Sequence, residues 1–193
     1  LQNPVLSARG KLSNLISSRR GFESISIYLN KKSGRKGETM AIQKILIPYN
    51  FTQIDQKAID FVIETFSHLR DIEVGVFNAY TAAPEIETDA SLITGKLKSS
   101  LSYLSQKILE KGTELDSVKQ KLILSGFTES RIETIFKPRK KDIASEIIQL
   151  ALDRKYDVIV LNRKHSRATR FFSGSVSHKI VMSLKNTAVC IVS

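Results

Sequence analysis

The chain reads as an α/β protein built on a doubly wound, five-stranded parallel sheet with helices on both faces, and three observations predict it. From Lys44 onward, short apolar runs alternate with longer stretches of helical period, the pattern of repeated βα units. The runs Ile45-Leu46-Ile47 and Val158-Ile159-Val160-Leu161 are continuously apolar, as strands covered on both faces must be. A basic loop follows the second run, and Gly174-Ser175-Val176-Ser177 then opens a helical pattern, setting free backbone N–H groups beside a strand's carboxyl end.

The elements follow in order. Ile45, Leu46 and Ile47 form the first strand, which Pro48 stops. Ala58, Ile59, Val62, Ile63, Phe66 and Leu69 recur at helical spacing and make one wide apolar stripe. Val74, Val76 and Phe77 mark a second strand, and the polar stretch from Tyr80 to Gly95 is too long for a tight turn. Leu97, Leu101, Leu104, Ile108, Leu115, Val118 and Leu122 keep a near-heptad step along a long helix, read as packing against the sheet because the run is too short for a sustained coiled-coil seam. Ile132, Ile135 and Phe136 give a third strand ended by Pro138, and Ile143, Ile147, Leu150 and Ala151 the next helix. After the strand Val158 to Asn162, the residues Val176, Ile180, Val181 and Leu184 form the last helix face, and Ala188 to Val192 a closing strand. That closing strand is apolar throughout and is expected on an open edge. An uncovered edge invites pairing, so a homodimer through Val189, Cys190 and Ile191 is expected.

With 193 residues and 41% hydrophobic content, the chain can bury one substantial core but not two ordinary enzyme domains. No apolar run approaches the roughly 20 residues of a bilayer-spanning helix, and the single cysteine, Cys190, excludes an internal disulfide framework, so a cytoplasmic protein with no membrane partner is expected. The net charge of +11 is unevenly spread. Residues 1–39 hold eight basic side chains against Glu23 and Glu38, hence +6 of the total, together with four of the nine glycines and no sustained apolar period. The expectation there is a basic, disordered extension, with the domain proper at 40–193, because Met40 runs directly into the first strand. An upstream remnant accounts for such a segment better than a transit peptide does, since no cleavage signal is evident.

Three stretches together resemble the universal stress protein family. They are Lys44-Ile45-Leu46-Ile47-Pro48-Tyr49-Asn50-Phe51-Thr52, Asp157-Val158-Ile159-Val160-Leu161-Asn162 and Gly174-Ser175-Val176-Ser177-His178-Lys179-Ile180-Val181. The resemblance spans residues 44–193 and is weakest between Tyr80 and Ser130. It implies a sheet in the order 3-2-1-4-5 of the adenine-nucleotide alpha-hydrolase-like type, a dimer through the last strand and, in some members, bound ATP. Carried over position by position, the resemblance implies a nucleotide crevice lined by Tyr49, Asn50, Ala79, Asn162, His165, Gly174, Ser175, Val176 and Ser177. ATP-binding members carry an aspartate where this chain has Asn50. They also carry a Gly-x-x-Gly loop whose two glycines fall at Asn162 and His165, and one more residue than the eight from Ser166 to Ser173 before the Gly-Ser pair. Glycine lets backbone approach a phosphate and adopt positive φ, which His165 resists and Asn162 tolerates only in part. The helix side of the phosphate cradle is therefore kept and the glycine side altered, while Asn50 removes a charge from the base or ribose contact.

Two cationic clusters, Arg163, Lys164, Arg167 and Arg170 in the loop and Lys137, Arg139, Lys140 and Lys141 after the third strand, hold no acid in sequence and are expected on one rim. His165 has no carboxylate partner in sequence, so a surface role outweighs general-base catalysis; His68 and His178 are expected within helices. No Walker loop, Gly-x-Gly-x-x-Gly motif or metal-ligand spacing is present, and Pro48-Tyr49-Asn50 lacks the acids of a phospho-receiver. With no Trp and few aromatics among the basic residues, nucleic acid is expected to be attracted only weakly and in a salt-sensitive way. The reading is a non-enzymatic stress-response module, dimeric, with a modified or vestigial adenine-nucleotide pocket and no catalytic or metal residues. The alternative is an ATP-binding protein with slow hydrolysis or nucleotide-dependent switching, Ser175 and Ser177 holding the phosphates.

Overall fold

The computed structural model describes residues 25–29, 44–69, 71–82, 95–162 and 176–193, with backbone alone for 25–29 and 95–98. The elements are β1 (Ile25–Leu29), β2 (Lys44–Pro48), α1 (Gln53–Phe66), β3 (Glu73–Tyr80), α2 (Gly95–Leu124), β4 (Ile132–Pro138), α3 (Ile143–Asp153), β5 (Val158–Asn162), α4 (Val176–Ser183) and β6 (Ala188–Val192). A 3₁₀ turn at Glu129–Arg131 leads into β4.

The sheet runs β1-β6-β5-β2-β3-β4. All neighbours from β6 to β4 are parallel. Counted from β2, these five strands stand in the order 3-2-1-4-5, with α1, α2, α3 and α4 as the four helices. Strand alternation divides the core in two. Ile45, Ile47, Val74, Val76, Val158 and Val160 face α1 and the carboxyl half of α2. Leu46, Phe77, Ile159, Leu161, Val189 and Ile191 face α3 and α4 through Ile147, Leu150, Ile180 and Leu184. The chain thus leaves β2 over one face and β5 over the other, and the point between them is the topological switch.

Two features depart from the sequence expectation. Within the segment expected to be disordered, Ile25–Leu29 forms a strand paired antiparallel with β6, so β6 is not an open edge. The cause is local: Ile-Ser-Ile-Tyr-Leu is rich in β-formers, and the composition of the surrounding basic, glycine-bearing stretch hides it. The second departure is α2. Leu115, Val118 and Leu122 are buried, but Leu104 is 42% exposed and Leu101 and Ile108 only half-buried. A 30-residue helix is about 45 Å long, whereas a five-residue strand covers about 17 Å, so the amino half of α2 outruns the sheet. Leu69, expected on the α1 stripe, lies past the helix end and is 42% exposed. His68 also follows α1 rather than lying in it, while His178 is in α4 and both are exposed. Among the described residues no helix is long and apolar enough to cross a membrane.

Candidate functional site

The crevice at the switch point is built from the tails of β2 and β5. Ladder pairing between them covers Ile45↔Val158 and Leu46↔Ile159, and continuing that register sets Tyr49 level with Asn162. Beyond β2 the chain turns sharply: Phe51 adopts φ 61°, a left-handed conformation that costs a bulky residue about 1–2 kcal/mol. Its ring packs edge-on against Tyr49 at 5.3 Å between centroids, and Lys111 Nζ of α2 lies 5.4 Å from its centre. The turn brings Thr52, the N-cap of α1, and Asp55, three residues on, back beneath Asn50.

Asp55 is the organising group. It is 2% exposed. Its Oδ2 accepts from Asn50 N at 3.0 Å, from Thr52 N at 2.7 Å and from the Thr52 hydroxyl at 2.7 Å. Its Oδ1 accepts from Asn162 Nδ2 across the crevice. One carboxylate therefore caps a helix and ties the two walls of the site together, with its lone pairs taken by the chain's own donors.

Tyr49 is buried. Its N donates to Phe77 O at 2.8 Å, its carbonyl accepts from Asn78 Nδ2 at 2.8 Å, and its hydroxyl accepts from Gln56 Nε2. Burial first, then the nearby charges of Glu114 and Asp55, push the phenol up to about 12, so it stays protonated and is no general base at neutral pH. Asn50 is exposed, anchored through its backbone. Ala79 is half-buried and packs toward α3 and α4, the face opposite Tyr49. Val176 and Ser177 stand in the first turn of α4. His165, Gly174, Ser175 and the cluster from Arg163 to Arg170 lie outside the described residues. The structure thus joins Tyr49, Asn50 and Asn162 on the α1 side of the sheet and sets Ala79 on the side of α4, whose first turn holds Val176 and Ser177.

Three residues of the rim were not read from the sequence as functional. Asp55 stands in a Thr-x-x-Asp pattern, the acidic analogue of a capping box, and that signal was available. Asn78 interrupts an otherwise apolar strand and is 5% exposed; among the described residues its Oδ1 has no hydrogen-bond partner. Glu146 changes the reading of the second basic cluster. Lys137 Nζ pairs with its Oε2 at 2.9 Å, and Lys140 N and Lys141 N donate to its Oε1 at 3.0 and 2.9 Å. The cluster holds no acid in sequence but has one in space, a helical turn into α3. Arg139 reaches Thr81 Oγ1 at 3.3 Å, and on the same rim Lys179 of α4 reaches Asp142 at 2.9 Å.

The opposite rim carries two open cavities, of about 580 and 360 Å³. The charges along the smaller one are largely compensated: Lys44 pairs with Glu73, Arg154 with Glu133 and Arg131 with Asp71. Among the described residues no group of three His, Cys, Asp or Glu side chains could hold a metal ion.

Comparison with known proteins agrees with this fold. The model of the universal stress protein family matches residues 41–191. The solved structure of universal stress protein UspA from Lactobacillus plantarum superposes with a TM-score of 0.58 at 16% identity, covering 80% of this chain and 100% of that one. A universal stress protein from Archaeoglobus fulgidus in complex with dAMP gives 0.51 at 15% identity over 80% of this chain and 100% of that one. A universal stress protein in complex with cAMP gives 0.54 at 15% identity over 79% and 98%. Comparison with curated protein sequences yields no match.

Proposed function

Since the chain belongs to the universal stress protein family, we propose that it is a non-enzymatic stress-response or regulatory module whose adenine-nucleotide crevice is closed from within. The observation that carries this reading is the Asp55–Asn162 bridge. Solved universal stress proteins of similar fold are in complex with cAMP and dAMP, and a nucleotide entering the equivalent crevice here would have to displace Asn162 from a carboxylate already holding three other donors. Asn50 offers no charge to a ribose in compensation. A second copy of the chain at the β6 edge, through Val189, Cys190 and Ile191, belongs to the same reading and requires that β1 leave that edge.

Isothermal titration of ATP into the purified chain tests it. The expected result is no saturable heat up to millimolar ligand. Micromolar binding would overturn the reading and favour the alternative, a nucleotide-dependent switch or slow hydrolase with Ser175 and Ser177 at the phosphates.

A further inference from the structure

The edge expected to receive a second copy is occupied by the chain itself. β1 runs antiparallel along the whole of β6, from Ile25↔Val192 to Leu29↔Ala188. A two-fold axis normal to the sheet beside β6 would set the β6 of a second copy antiparallel to the first, because rotation by a half-turn about an axis perpendicular to a strand reverses its direction. β1 therefore takes both the position and the direction that a partner's β6 would take. The two are mutually exclusive.

The register shows why β1 can reach its own sheet. Leu29 lies level with Ala188, Ala188 with Val158 and Val158 with Ile45, so β1 ends on the rim where β2 begins. Three strand spacings separate them, about 14 Å. The 14 residues of 30–43 join them, and a chain of that length can reach at most about 46–50 Å, well beyond the gap. The covalent tether makes β1 an intramolecular partner, whose effective concentration exceeds that of a second copy in dilute solution. At micromolar protein, β1 outcompetes a second copy.

We propose that β1 is a built-in competitor for the homodimerisation edge, which holds the chain monomeric until the N-terminal segment is displaced. The proposal rests on the reading of β6 as a dimer edge and is independent of nucleotide binding. It gives residues 25–29 a task that composition alone would not assign to them.

Cys190 makes the pairing directly testable. It is the chain's one cysteine and lies opposite Ile27. Directly opposed antiparallel residues have Cα atoms about 4.5–5.5 Å apart, within the range a disulfide bridges. Oxidised Ile27→Cys is expected to form an intrachain disulfide on a particle of one-chain mass; an interchain disulfide, or none, overturns the proposal. Separately, light scattering on the full chain should give 21.7 kDa, and Ile27→Pro/Tyr28→Pro twice that at the same concentration, since alternate N–H groups of an edge strand face the ladder and one of the two substitutions must remove a donor. A wild-type dimer would show that β1 does not compete. A double-proline variant that stays monomeric would show that β6 is not a dimer edge. ATP titration reports on neither, so a failure here and a failure of the nucleotide reading can be told apart.

Discussion

The side-chain amide of Asn162, at the end of β5, donates to the carboxylate of Asp55, in the first turn of α1. This bond closes the sheet's switch point with the protein's own groups, and the same carboxylate caps α1 through Thr52. Stability and ligand access therefore meet in one residue.

Asp55→Asn keeps the side-chain shape but leaves one acceptor oxygen for four donors and sets an amide N–H against them. Loss of a buried, charge-assisted cap is worth about 2–3 kcal/mol. Urea unfolding should show the midpoint fall by that loss divided by the slope, with the slope itself unchanged. Asn162→Ala, which leaves the helix cap intact, is expected to lose only about 1 kcal/mol. Equal losses in the two variants would show that the cap contributes nothing beyond the crevice bond.

Asn162→Gly/His165→Gly restores the two glycines that the resemblance expects and releases Asp55 Oδ1 at the same time. ATP affinity should rise at least tenfold, into the range that titration calorimetry detects, while stability falls by about 1–2 kcal/mol. Unchanged silence toward ATP would show that the glycine pattern and the Asp55 bond are not what bars the ligand.

Gly75 shows a different constraint. It lies in the middle of β3, and a Cβ there would fall 2.9 Å from Tyr156 Cζ and closer still to the hydroxyl oxygen. Tyr156 is 6% exposed, so the ring has little room to withdraw. Gly75→Ala should destabilise by about 1–3 kcal/mol, the range for overpacking a core. Tyr156→Phe removes the nearest atom, so the double variant should lose less than the sum of the singles. Strict additivity in that cycle would show that the crowding is relieved elsewhere.

How far the sequence revealed these features follows from the range of the interactions involved. Continuous apolar runs such as Val158 to Leu161 and the stripe from Ala58 to Phe66 carry their own periodicity, so the parallel sheet and its helices were legible. Ile25–Leu29 was not, because an antiparallel pairing with residues more than 150 positions away leaves no local mark beyond five β-formers in a polar, basic stretch. The same holds for the rim. Asn162 was legible as a departure from a motif, but its partner Asp55 lies 107 residues away and only the fold brings them together. Ala79 stands near the end of β3, where strand alternation turns it toward α3 and α4 and sets Asn78 on the side of Tyr49, to which it bonds.

Glu146 contributes to the acid limb of stability. The Lys137 ammonium, followed by the backbone N–H groups of Lys140 and Lys141, holds its carboxyl below the ordinary value of 4.5, against the opposing effect of burial. A carboxyl depressed in the folded state stabilises fully above its unfolded value, and that contribution drains as pH falls through the folded one. Wild-type protein should therefore lose stability progressively below about pH 4.5, through protonation here among other carboxylates. Glu146→Gln cannot titrate: it should be less stable than wild type at pH 7, and the gap should narrow steadily as the solution is acidified. Urea midpoints measured for both chains between neutral and acid pH check this, and a gap independent of pH would show that the Lys137–Glu146 pair contributes nothing through its charge.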